Sequence, residues 1–180
     1  MFNSLKCKLI ALVCLLSLAI FSSSVNANPK PLGFEIGVAT YENIKDRFYS
    51  SRDEGINLFT NGHMLSVNSI ELEVDGLQQA FFIFNDDKTL AAVNLKFDKN
   101  KFDEITSQLS KKYKTIKKIR PFVGNCYAKY KNDRSTITVD APHMSFEMNV
   151  LYAHDNFLKI MNSTLNKKEK DRKNKQASLL

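Results

Sequence analysis

The chain has 180 residues, a formal net charge of +7 at pH 7, 25 % charged residues and 13 Phe, with no Trp. Three cysteines and six glycines exclude a disulfide-rich scaffold and a collagen-like chain, and 43 % hydrophobic residues exclude a wholly disordered one. After the N-terminal segment no stretch is apolar for the roughly 20 residues that a membrane-spanning helix needs.

Lys6 and Lys8 precede an apolar run at 9–21, and a zone of small residues ends in Val25-Asn26-Ala27. This is the pattern of a secretory signal peptide, and it predicts cleavage after Ala27 and export, to the periplasm or beyond the cell. The apolar run is short for an uncleaved anchor, and Val13 before Cys14 fits a lipidation site poorly. Cys7 and Cys14 leave with the peptide, so Cys126 stands alone and no intramolecular disulfide can form. It is expected to be a small buried apolar residue. The rest is the size of one domain, 28–165, followed by a basic tail at 166–180 that is expected to be disordered. Its core must come from packing, and the Phe residues other than Phe2 and Phe21 can supply it.

Pro29 and Pro31 make an extended lead-in, and Phe34 and Ile36 suit a short strand. Thr40 is placed to cap a helix over 41–48, with Tyr41, Ile44 and Phe48 as its apolar stripe. Five strands are then predicted. Strands 56–60 and 63–67 are joined by Asn61-Gly62, and strands 70–74 and 77–84 by Asp75-Gly76. Both dipeptides tolerate the positive φ of a type I′ turn. The fifth strand is 90–97. Ile70, Leu72 and Val74 alternate with Glu71 and Glu73, so one sheet face is expected to be wet. Residues 81–84 are apolar on both faces, which places their strand inside the sheet.

Phe102, Ile105, Leu109 and Tyr113 share one face of a second helix, with Asn100 as its expected N-cap and Lys111 and Lys112 in its last turn. Strands 115–119, 126–130, 136–139 and 146–152 follow, the last with Phe146, Met148, Val150 and Tyr152 on one face. Asp155 is expected to cap a final helix through Phe157, Leu158, Met161 and Leu165. The predicted class is α+β, an antiparallel sheet with helices packed on one face. Thr40 and Asn100 each open a helix that leads into a run of strands. The halves 34–97 and 98–165 thus suggest a tandem αββββ repeat.

Gly33-Phe34-Glu35-Ile36-Gly37, with Thr40, Glu42 and Ile44 on the helix after it, resembles the opening of small bacterial envelope domains. The tandem order is similar to the beta-lactamase-inhibitor-protein-like fold, whose single unit also occurs in outer-membrane assembly lipoproteins. The resemblance implies a curved sheet that grips another protein without catalysis. The inhibitor domains carry disulfides and this chain can form none, so no functional residue is carried across.

Chemistry-bearing patterns are sparse. His63, His143 and His154 have no ligand spacing between them, and Cys126 has no second Cys nearby. A metal or nucleophile site would have to bring His143, His154 and Cys126 together in space. Asp53-Glu54 and Asp86-Asp87 sit in expected turns. There is no G-x-S-x-G and no glycine-rich phosphate loop. No catalytic, metal or cofactor-binding residue is assigned, and a hydrolase with an unrecognised site is a competing reading. Asn162-Ser163-Thr164 is a glycosylation sequon that matters only in a eukaryotic secretory route.

The loops 120–125 and 141–146 mix Pro with aromatic residues and Met. Phe122, Asn125, His143, Met144 and Phe146 are therefore the candidate contacts to a partner, expected to be another envelope protein. The segment 167–175 holds six Lys or Arg against Glu169 and Asp171, which leaves the folded part at +1. The basicity thus belongs to the tail, where it suits contact with anionic lipid or glycan, and not to a nucleic-acid groove.

Overall fold

The computed structural model describes residues 28–179; the signal peptide read at 1–27 lies outside the described residues. Thr40 does cap the first helix, α1 (Tyr41–Arg47): its hydroxyl accepts from the Asn43 N–H, and the Asn43 side chain accepts from the Thr40 N–H. A four-stranded meander follows, β1 (Arg52–Ile56), β2 (Asn61–Asn68), β3 (Leu77–Asn85) and β4 (Leu90–Asp98). The second helix, α2 (Phe102–Lys112), leads into β5 (Lys114–Ile119), β6 (Cys126–Asn132), β7 (Ser135–Ala141) and β8 (Glu147–His154). A third helix, α3 (Asp155–Ala177), ends the described chain. The eight strands form one antiparallel sheet in the order β1-β2-β3-β4-β8-β7-β6-β5. Each αββββ half is a meander, and the halves join where β4 pairs with β8, from Ala92↔Ala153 to Asp98↔Glu147.

Alternation along the strands sends two sets of side chains to two faces. On one face α1 and α2 cover Phe82, Phe84, Val93, Ile137, Val139 and Val150 with Ile44, Phe48, Phe102 and Leu109. Phe34, Phe48 and Phe82 pack ring against ring at 5.8–5.9 Å. The Tyr130 hydroxyl donates to the Thr106 carbonyl at 3.0 Å, tying α2 to β6. The opposite face is open except where the first turns of α3 pack Phe157, Leu158 and Met161 against Ala92, Ala153, Ile83 and Leu151. Phe59 meets Phe157 there edge-on at 5.8 Å.

Several boundaries differ from the sequence expectation. The first hairpin turns at 57–60, where a strand was expected, because the buried Asn57 side chain organises that loop. Its Nδ2 donates to the Gly62 and Phe84 carbonyls, and its Oδ1 accepts from the Phe59 and Thr60 N–H groups. Asn61-Gly62 opens β2 and is not the turn; a Cβ on Gly62 would lie 2.2 Å from the Phe84 and Asn85 carbonyl oxygens. Residues 70–74 make no strand. β2 and β3 pair directly as far as Asn68↔Gln79, and the residues between them form a 3₁₀ turn and a loop that buries Leu72 and exposes Ile70.

Phe34 and Ile36 also lie outside the strands; the Gly37 N–H instead donates to the Leu90 carbonyl. A 3₁₀ turn, Lys99–Lys101, precedes α2, so Asn100 does not cap it, and Lys101 pairs with Asp75 and Glu104. His154, not Asp155, caps α3: its Nδ1 accepts from the Asn156 N–H at 3.3 Å. Phe146 falls just before β8. The final helix does not stop at Leu165 but runs through the segment expected to be disordered. That segment holds no Gly or Pro, and Glu169 pairs with Arg172 and Lys173 one turn on.

Both edge strands, β1 and β5, are exposed along their whole length, and both carry a register irregularity. No helix among the described residues is long and apolar enough to cross a membrane.

Candidate functional site

The two loops singled out in the sequence lie side by side at one end of the second half. Loop 120–125 connects β5 to β6, and loop 142–146 connects β7 to β8. Since β6 and β7 are neighbours, with Cys126 opposite Ala141, the loops leave the sheet together. Two hydrogen bonds then lock them. Asn125 Oδ1 accepts from the His143 N–H at 2.7 Å, and His143 Nδ1 accepts from the Gly124 N–H at 3.2 Å. Gly124 makes this geometry possible with φ 126, a left-handed backbone that a side chain would strain.

A third element holds the second loop from below. The Lys99 ammonium donates to the carbonyls of Pro142 and His143, and the Lys99 N–H donates to the Phe146 carbonyl at 2.8 Å. On this frame Phe122, Met144 and Phe146 are 104 %, 90 % and 93 % exposed. Val123 beside them is also exposed. Large apolar side chains held out on ordered backbone lose apolar–water contact only when something covers them.

Behind Phe146 runs a groove of about 490 Å³ lined by Lys99, Asn100, Phe102, Arg120, Cys126 and Ser145. Arg120 forms a two-pronged pair with Asp103, at 3.1 and 3.0 Å, which holds the Asp103 carboxyl below its usual range. Cys126 is buried, with its Sγ 3.8 Å from an Arg120 nitrogen. His143 is turned to Gly124 through Nδ1, so the arrangement is a backbone clamp.

The structure thus brings together all five of Phe122, Asn125, His143, Met144 and Phe146, and divides their roles. Phe122, Met144 and Phe146 face solvent; Asn125 and His143 join the loops. Sequence reasoning missed Lys99. Its partners are carbonyls 43 and 44 residues away, and no local pattern marks such a contact.

Elsewhere, Asp53 accepts from the Tyr41 hydroxyl, from His63 Nδ1 and from the Gly55 N–H. The Gly55 bond, with those from Tyr41 and His63, keeps its carboxyl below the usual range. A cleft of about 350 Å³ between α2 and the N-terminal segment is floored by Leu95, Phe97 and Leu109, and Tyr113 and Tyr152 also line it. Burial raises both phenols, Tyr152 most, so they stay neutral. His154 caps α3 and lies apart from the loop clamp that His143 forms. Among the described residues no group of three or more His, Cys, Asp or Glu is placed to hold a metal ion. No protein-family model, curated protein or solved structure matches the chain.

Proposed function

We propose that the chain is an exported, non-catalytic binding module that holds another envelope protein through the paired loops 120–125 and 142–146. The observation that carries this reading is the ordered presentation of Phe122, Met144 and Phe146 to solvent. Loop backbone that is hydrogen-bonded before contact loses little conformational freedom on binding. Apolar and aromatic anchors of this kind commonly dominate interface energetics. The signal-peptide pattern at 1–27 supports export. The order α1 to β4, then α2 to β8, supports the resemblance to tandem inhibitor-like domains that grip a partner on a sheet.

The test is photo-crosslinking in the cell envelope from a reactive side chain placed at Val123, compared with one at Tyr49 on the first half. A discrete adduct from Val123 is expected, and Phe122→Ala with Met144→Ala should abolish it. An adduct pattern equal from both positions, or unchanged by the double substitution, overturns the reading.

One further observation favours a second contact. Beyond Thr164 helix α3 is exposed on every side, and its last turns carry the excess of Lys and Arg. This supports docking of the helix on an anionic lipid or glycan surface. Deleting 167–180 would remove that attachment and leave the Val123 adduct in place.

A further inference from the structure

The near-neutral sum of the folded part conceals two oppositely charged halves. Residues 28–98 hold six Lys or Arg against eleven Asp or Glu, and residues 99–165 hold twelve against six. The cations of the second half gather at its outer edge. Lys111 and Lys112 end α2, and Lys114, Lys117 and Lys118 lie on β5.

The register then places like charges face to face. Lys117 stands directly opposite Lys129, and Lys114 opposite Lys131. On β6 Lys129 and Lys131 alternate with the buried Ala128 and Tyr130, so both lysine pairs project from the open face of the sheet. Directly opposed like charges destabilise a ladder. Among the described residues, Lys131 alone of these four forms an ion pair, with Asp155 at the start of α3. Among the described residues Lys111, Lys112, Lys114, Lys117, Lys118 and Lys129 form no ion pair.

We propose that the β5 edge is a docking site for an acidic, extended segment of the partner protein, which pairs with β5 as a ninth strand. Three features select that occupant. The outer edge of β5 carries backbone groups with no neighbouring strand, and an extended chain satisfies such groups by strand addition. Lysines on an edge repel basic strands and a second β5 edge, and disfavour neutral strands that would strip their water, but attract carboxylates. Finally, β5 ends at Ile119 and runs directly into the loop that carries Phe122. A segment lying along β5 therefore continues onto the exposed Phe122 and Phe146. This inference rests on the binding-module reading and names the chemistry of its partner.

The experiment uses the processed protein and a short fluorescein-labelled peptide of alternating Glu and Val, followed by fluorescence anisotropy. Controls are the same peptide N-methylated on alternate backbone nitrogens, vesicles of phosphatidylglycerol with phosphatidylcholine, and a sulfated polysaccharide. The acidic peptide should bind, and Lys117→Glu with Lys129→Glu should weaken it by about tenfold or more. N-methylation should weaken it comparably. The Lys117→Glu single variant, which sets an acid opposite Lys129, controls for folding and should melt no lower than the parent.

Peptide binding that ignores the lysine substitutions overturns the proposal. So does equal binding of the N-methylated peptide, or binding of vesicles or polysaccharide that survives deletion of 167–180 and is lost with Lys117→Glu and Lys129→Glu, which would mark a diffuse anion-binding face on β5. Phe122→Ala with Met144→Ala should leave this short peptide bound as before. Loss of the Val123 adduct with peptide binding intact, or the reverse, therefore separates failure of the loop reading from failure of the strand reading.

Discussion

Replacing Asn57 by Ala should cost far more than its place in a surface hairpin suggests. Asn57 is 2 % exposed; its side chain donates two hydrogen bonds and accepts two from backbone N–H groups, and the single Thr60 hydroxyl proton is shared between Asn57 Oδ1 and the Phe84 carbonyl. The partners do not all suffer equally. The Phe84 carbonyl keeps the Thr60 hydroxyl as a donor, and the Gly62 carbonyl keeps the Asn57 backbone N–H. What Ala leaves unpaired is chiefly the N–H groups of Phe59 and Thr60. At about 1–3 kcal/mol for each buried unsatisfied group, discounted because both are only partly buried, the loss is about 2–4 kcal/mol. For a domain of this size that lowers Tm by roughly 4–16 °C.

Asn57→Asp separates the two sides of the amide. Its carboxyl can still accept from Phe59 and Thr60, but its second oxygen faces the Gly62 and Phe84 carbonyls, where Nδ2 now donates at 2.8 and 2.9 Å. The ionised form is disfavoured there, so the folded pKa rises above the unfolded value of about 3.9. The stability of the Asp variant is then fully present below that value and is lost as pH rises through the folded pKa. Urea titrations at about pH 4 and pH 7 should show this trend relative to the parent, while Asn57→Ala changes little relative to it. A loss below about 1 kcal/mol for Ala, or an Asp variant equally placed at both pH values, would refute the reasoning.

Gly62→Ala should prevent β2 from closing on β3, since the added methyl meets two backbone carbonyls; soluble yield and near-ultraviolet circular dichroism report it. Asp155 is pulled up by burial but brought down further by its bonds from Lys131 and Thr136, so its folded pKa is depressed. Its contribution is therefore present above the unfolded pKa and is lost as pH falls through the folded one. Lys131→Met should flatten that acid limb of a stability–pH curve. Lys117→Glu should raise stability by a few tenths of a kcal/mol, and to about 1 at most, by replacing a like-charged cross-strand pair; a drop in Tm would contradict the repulsion argument.

Elements that announce themselves by period were legible. The stripe Phe102–Ile105–Leu109 and the alternation in 90–97 are signals that packing here reinforces. Thr40 was equally plain, because a capping box is a purely local device. The failures share a cause. Asn-Gly at 61–62 is a strong turn signal in isolation, yet Asn57, whose role depends on a carbonyl 27 residues away, moved the turn upstream. Ile70, Leu72 and Val74 alternate like a strand but have no neighbouring strand to pair with. At the candidate site the exposed side chains could be named from composition, because Pro-bounded loops carrying Phe and Met stand out. The clamp of Lys99, Asn125 and His143 could not, since it depends on how three connections converge. Charge misled in a different way: the near-zero sum for 28–165 concealed a polarity that appears only once the strands are placed in order.

The junction of β4 with β8 has a consequence for synthesis. β4 is made early and β8 is the last strand to emerge, so the apolar Leu90–Asp98 segment waits as an unpaired edge until more than fifty further residues have been added. During that interval the nascent first meander offers the kind of sticky border that captures stray chains. Newly made copies therefore need shielding before they close, and a chain truncated anywhere ahead of Glu147 would carry that open border permanently.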